Sequence, residues 1–194
     1  MARSGALFDA MTIERDDAKR AAITVIVIMG VSGSGKTAIG ALLAGMLHWE
    51  FADADDFHPE SNILKMASGI PLGDEDRWPW LHAIAAWIDA HRAKGTRGVV
   101  TCSALKRRYR DILIGDRRDV ALVYLQGEKS LIARRMAKRH EHFMPVALLQ
   151  SQLDTLEEPG LDEHPVVVSI DAPPLAMATE IVRALDLPVP TSGA

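Results

Sequence analysis

A run of β-branched residues that stops at a glycine-rich turn and resumes as a helix constrains this chain more than any other feature. Ile23, Thr24, Val25, Ile26, Val27, Ile28 and Met29 show no polar alternation. That is the pattern of a strand covered on both faces, as in a parallel sheet flanked by helices. Gly30-Val31-Ser32-Gly33-Ser34-Gly35-Lys36-Thr37 follows at once, and beyond it Ile39, Leu42, Leu43, Met46 and Leu47 recur at helical spacing. The glycines let the backbone curl with its N–H groups inward, and the helix N-terminus adds its dipole, so the turn forms a cradle for phosphate oxygens. The complete G-x-x-x-x-G-K-[ST] pattern, placed between strand and helix, is a specific signal; a chance Gly/Ser-rich turn would not bring both flanking elements. All eight residues of the turn are therefore expected to bind a nucleoside triphosphate, which the resemblance given below implies is ATP. Lys36 reaches the β- and γ-phosphates, and Thr37 offers its hydroxyl to Mg²⁺.

The rest of the 194 residues alternates in the same way. Strands are predicted at 50–54, 98–102, 120–125 and 165–170, and helices at 76–93, 106–114, 129–139, 146–157 and 174–185. Parallel neighbours need helical crossovers, so the class is α/β with a five-stranded parallel sheet. One domain fits this length. Residues 1–20, with four basic and four acidic side chains and no apolar stripe, read as a flexible extension. Residues 21–187 read as the folded unit, and 188–194 as a loose tail. Apolar residues are 48% and charged residues 25% of the chain, an ordinary globular balance. A formal charge of −4 gives no reason to expect a nucleic acid or an anionic membrane surface as partner. No apolar stretch approaches the ~20 residues of a membrane span. The single cysteine, Cys102, fits a reducing, cytoplasmic setting.

The phosphate turn does not say what receives the phosphoryl group. The chain leaves little room for the machinery of a motor or a large switch, which favours a small kinase. Asp53-Ala54-Asp55-Asp56-Phe57-His58-Pro59 follows the second strand. In a strand, alternation puts Asp53 and Asp55 on the same side, so two carboxylates face one cleft. One could hold Mg²⁺ or its waters while the other takes the proton of an attacking hydroxyl, the two tasks of phosphoryl transfer to an alcohol. The plainer reading is an acidic, capped loop leading into a helix at Glu60. The strand at 98–102 carries no terminal aspartate, so Asp53 is the expected metal partner beside Thr37.

Several further motifs occur in order. They are Asp53-x-Asp55-x-x-His58-Pro59, Asn62-x-x-Lys65-Met66-x-x-Gly69-x-Pro71-Leu72 and Asp74-x-Asp76-Arg77-x-Pro79-Trp80. Then come Cys102-Ser103-Ala104-Leu105-Lys106 with Tyr109-Arg110-Asp111, His142-Phe143, and Leu156-x-Glu158-Pro159-Gly160. Across residues 25–185 this string resembles the gluconokinases, a shikimate-kinase-like group of P-loop kinases. The resemblance implies transfer of the γ-phosphoryl of ATP to the 6-hydroxyl of D-gluconate, feeding gluconate degradation and pentose phosphate metabolism. It also implies strand order 2-3-1-4-5, a homodimer, and a mobile lid at about 135–146 whose arginines swing over ATP. By likeness to the shikimate kinases, Asp55 and Arg77 hold the acceptor and Asp53 lies near the metal.

The matched residues suit such an acceptor. Gluconate is a polyhydroxylated monoanion that needs a cation for its carboxylate and several donors and acceptors for its hydroxyls. Arg77, His58, Lys106 and Arg110 can supply charge and donors. Ser103 stands at a strand's carboxyl end, where open α/β sheets bind ligands. Cys102, one place earlier, is expected to be buried and inert. Arg135 and Arg139, spaced i, i+4, are the expected lid arginines, with His142 as a lid group near the substrate. The expected catalytic set is Lys36, Asp53, Asp55 and Arg135. Asp55 is the preferred proton acceptor, with Asp53 left open. The alternatives are a helix-start role for His58 and pairing of Arg77 with Asp74 or Asp76. A shikimate-type acceptor is disfavoured because Cys102-Ser103-Ala104 stands where the shikimate kinases carry a glycine triplet. A nucleotide-binding module without turnover would not need Lys36, Thr37, both aspartates and the lid arginines.

Overall fold

The structure, a computed structural model, describes residues 22–137 and 146–190. The first strand, β1 (Val25–Met29), is buried along its whole length, which is why its sequence has no polar face. It is the centre of a five-stranded sheet in the order β2-β3-β1-β4-β5, the order 2-3-1-4-5 that the family resemblance implies. The other strands are β2 (Glu50–Asp53), β3 (Gly98–Thr101), β4 (Val120–Gln126) and β5 (Val166–Ser169). All pairings are parallel, and Ile26 lies between Val99 and Ala121.

Alternate β1 residues feed two cores. Ile26 and Ile28 join Ile39, Leu43 and Leu47 of α1 (Lys36–Leu47) and Ile181 of α7 (Pro174–Ala184). Val25, Val27 and Met29 join Leu81, Ile84 and Ile88 of α3 (Asp74–Lys94) and Leu113 of α4 (Arg107–Leu113). The period of two along a strand thus separates the two helical layers. The short helix α2 (Glu60–Ala67) stands at the carboxyl end of the sheet, and α5 (Lys129–Ala137) and α6 (Val146–Thr155) complete the chain order.

Helix α3 begins at Asp74, two residues before the expected 76. Asp76 acts from the third helical position: its Oδ2 accepts the Gly73 N–H at 2.9 Å, so the capping interaction starts the helix earlier. Strand β2 ends at Asp53 rather than 54, and residues Ala54–Phe57 form a 3₁₀ turn.

Arg110 corrects an expectation. Its motif predicts a substrate-binding residue, yet it is only 2% exposed and does not line the cleft described below. Its Nε and Nη2 reach the two Glu163 carboxylate oxygens at 2.5 and 2.8 Å, and Nη1 donates to the Glu157 and Ala104 carbonyls at 2.9 and 3.1 Å. Every donor face is committed to joining the loop after β3 to the segment before β5. Its pull holds the Glu163 carboxyl below its usual range. Arg110→Ala would leave the largely covered Glu163 carboxylate without its bonded partner, and a loss of about 3 kcal/mol in urea unfolding is expected. Unchanged stability with a raised acceptor KM would return Arg110 to the site.

Candidate active site

The phosphate loop leaves β1 and enters α1 with Gly30 at φ +148° and Gly33 at φ +82°. A Cβ on Gly33 would meet Met136 Cγ at 2.7 Å, so α5 lies against the loop and only glycine fits between them. Lys36 folds back over the loop, its Nζ donating to the Val31 carbonyl at 3.1 Å. The Ser32 N–H donates to Gln152 Oε1 of α6 at 2.7 Å. Gln152 has no counterpart among the expected site residues; it lies 120 positions along the chain from Ser32, and no local motif marks it.

Asp53 links the loop to the acceptor side. Its Oδ2 accepts the Thr37 hydroxyl at 2.7 Å and its Oδ1 accepts the Asp55 N–H at 3.2 Å. Both aspartates therefore line one cleft, but not by strand alternation. Asp53 caps the 3₁₀ turn that carries Asp55, and the turn swings Asp55 round. Burial raises the pKa of the Asp55 carboxyl, the Asp53 charge adds to the rise, and His58 and Lys36 oppose it.

The cleft encloses ≈ 570 Å³, within the usual range for small-molecule sites. Its floor is Lys36, Thr37, Asp53, Asp55, Thr101 and Ser103, and Ser151 and Gln152 of α6 close one side. His58, Arg77 and Trp80 form the opposite wall, with Ile63, Met66, Ile70 and Leu72 at an apolar rim. His58 stacks on Trp80 with ring centroids 4.5 Å apart and planes 8° from parallel. Trp80 is fixed in turn by its Nε1 donating to the Ala54 carbonyl at 2.6 Å. Burial lowers the His58 pKa, which favours the neutral ring; its Nδ1 faces the Asn62 amide at 3.4 Å, which leaves Nε2–H as the donor.

Arg77 is held from behind. Its Nη1 donates to Tyr109 Oη at 3.3 Å and lies 3.9 Å from Asp74 Oδ1. Asp74 also accepts from Tyr109, Arg108 and Lys106, and these donors, Tyr109 first, hold its carboxyl below the usual range. Lys106, expected in the pocket, belongs to this supporting cluster and is not part of the cleft wall. Arg135 likewise lies outside the wall, with Nη2 donating to the Ile170 carbonyl at 2.5 Å. Arg139 and His142 fall outside the described residues. Cys102 is 1% exposed and burial pushes its thiol up to about 12, the inert state expected.

A divalent ion fits the donors present. Thr37 and Asp53 bring a hydroxyl and a carboxylate oxygen into contact beside the loop, hard ligands of the kind Mg²⁺ selects. Among the described residues no three His, Cys, Asp or Glu side chains gather as a metal-binding group. An ion here would need phosphate oxygens to complete its shell, the usual habit of Mg²⁺.

Comparison with known proteins agrees with this geometry. The shikimate kinase family model matches residues 32–186. The thermosensitive gluconokinase of Escherichia coli is 48% identical over 141 residues, covering 73% of this chain and 75% of that protein. A probable gluconokinase of Mus musculus is 43% identical over 178 residues, covering 83% of this chain and 97% of that one. The crystal structure of a gluconokinase from Sinorhizobium meliloti superposes with a TM-score of 0.76 at 44% identity, covering 84% of this chain and 91% of that one. A chain that carries a complete phosphate loop and an aspartate turn in one cleft, and shares this much sequence with these enzymes, belongs to the gluconokinase family of shikimate-kinase-like P-loop kinases.

Proposed function

We propose that this protein is an ATP:D-gluconate 6-phosphotransferase that converts gluconate and Mg-ATP to 6-phospho-D-gluconate and ADP. The observation that carries the reading is the position of Asp55. It is a carboxylate with a raised pKa in the same cleft as Lys36, Arg77 and His58.

The loop amides and Lys36 hold the β- and γ-phosphates and neutralise charge on the transferring group. Thr37 and Asp53 would hold Mg²⁺, which would supply further charge neutralisation. Arg77 takes the acceptor carboxylate, while neutral His58 and Ser103 bond to its hydroxyls. Asp55 then accepts the proton of the attacking 6-hydroxyl; its raised pKa makes it a stronger base than an ordinary aspartate. Arg135 would complete the charge over ATP by leaving the Ile170 carbonyl, with Arg139 and His142 joining from the lid at 135–146. In this reading residues 21–187 are the catalytic unit, working as a cytoplasmic homodimer.

The deciding experiment is ADP release with Mg-ATP on D-gluconate, shikimate, glucose, a nucleoside monophosphate and water alone. Turnover confined to gluconate is expected. Turnover on shikimate would keep the ATP site and replace the acceptor, and silence on all five would leave a nucleotide-binding module.

Asp74 gives a second check on the acceptor wall. Asp74→Asn removes the charge that orients Arg77 and Lys106, and a rise of about tenfold in gluconate KM is expected, the scale of a charged hydrogen bond. The ATP KM and kcat should stay within about twofold. An equal loss in both substrates' KM would show a general loosening rather than an acceptor effect.

A further inference from the structure

We propose that Thr101 is a positioning residue for the divalent ion that accompanies the nucleotide, acting through ion-bound water from the strand end where a carboxylate is missing. The inference rests on the phosphoryl-transfer reading and deepens it.

Thr101 is 1% exposed, and its Oγ1 has no hydrogen-bond partner among the described residues. Folded proteins leave few buried hydroxyls unmatched, because each carries its desolvation cost. Ser34 Oγ, inside the phosphate loop, is the other side-chain atom in this condition among the described residues. Both unmatched hydroxyls thus belong to the nucleotide end of the sheet, where a ligand with many oxygen atoms is expected to supply partners.

The placement of Thr101 narrows that role. It is the last residue of β3 and pairs in parallel register with Asp53, so the two side chains share one sheet face. That face is covered by α1. A Cβ on Gly40 would meet Thr101 Cγ2 at 2.6 Å, and Asp53 receives the Thr37 hydroxyl from the first turn of the same helix. Thr101 also lines the cleft beside Lys36, Thr37 and Asp53. Its methyl group therefore fills the space under α1, where valine would pack equally well, and the hydroxyl is the part that packing does not require. Mg²⁺ keeps several of its waters when bound through one or two protein oxygens. A hydroxyl next to the Asp53 and Thr37 pair is placed to bond such a water, and partners of this outer kind set metal affinity.

The test compares wild type, Thr101→Val and Thr101→Ser as full-length proteins. Mn²⁺ binding is followed by electron paramagnetic resonance at saturating ADP, ADP binding is measured without any divalent ion, and Tm is measured without ligand. Thr101→Val is expected to weaken Mn²⁺ in the ternary complex by ~10-fold or more, within the range for outer-shell partners. Its metal-free ADP affinity should change less than about twofold and its Tm should be equal or higher, since an unmatched hydroxyl has been removed. Thr101→Ser should restore Mn²⁺ affinity. Wild-type Mn²⁺ affinity in Thr101→Val overturns the proposal, as does a fall in its Tm together with loss of metal-free ADP binding, which would make the hydroxyl structural. If wild type itself shows no ADP-dependent Mn²⁺ site, the metal part of the proposed function falls with it; a normal wild-type site unmoved by Thr101→Val removes only the role of Thr101.

Discussion

Asp55→Asn is expected to lower kcat by ~10²-fold or more while ATP affinity stays within about twofold, the usual scale for losing a general base. The amide keeps the shape and can still accept the attacking hydroxyl's hydrogen bond, but it cannot take the proton. A loss of this kind belongs in kcat because proton transfer is made only in the transition state. Near-normal turnover would pass the role to Asp53, which already accepts from Thr37 and the Asp55 N–H, or to no base at all.

The pH profile separates these outcomes further. Burial and the Asp53 charge raise the Asp55 pKa, so wild-type kcat/KM should fall on the acid side at a pH above that of an ordinary aspartate. Asp55→Asn should lose that limb. Stability should move the other way. A carboxyl whose folded pKa is raised favours the folded state when protonated, below its unfolded pKa, and loses that contribution as pH rises through the folded value. At neutral pH the ionised Asp55 is therefore a net cost, and Asp55→Asn is expected to unfold at an equal or higher temperature than wild type. A protein both slower and less stable would mean that Asp55 supports the 3₁₀ turn rather than the chemistry.

Local patterns explain which parts of this molecule the sequence reveals. The uninterrupted apolar run of β1 predicts a central buried strand, and glycine spacing predicts the loop, because each depends on residues a few positions apart. Strand alternation predicts Asp53 and Asp55 on one side, whereas a side-chain cap from Asp53 and the 3₁₀ turn bring Asp55 to the cleft. Arg110 shows the opposite limit. Its motif suggests a cation for the acceptor, but its partner Glu163 lies 53 residues away, and no spacing rule reveals that Arg110 is buried against it. Asp74 gathers Lys106, Arg108 and Tyr109 from 32 to 35 residues along the chain for the same reason. Polar pairs that close over such distances are set by the tertiary fold, while the elements that bring them together are set locally.

Lys36→Ala is expected to lower kcat by at least ~10²–10³-fold with every acceptor, the scale for removing one preorganised charge from a transferring group. The lysine is the first residue of α1, only half-buried, and its Nζ donates to the Val31 carbonyl within its own loop. Alanine suits a helix start, so the fold should survive, and circular dichroism and unfolding should match wild type. Independence from the acceptor is what identifies the phosphate side. Arg77→Ala, on the opposite wall, should raise the KM for gluconate far more than for an uncharged polyol, since only the acid presents a carboxylate to a guanidinium. Lys36→Ala should depress both acceptors alike, because the group it touches is the γ-phosphate in every case. Retained turnover in Lys36→Ala would mean that the transferring phosphoryl is neutralised from another direction, and Arg135→Ala in that background would test the expected lid arginine.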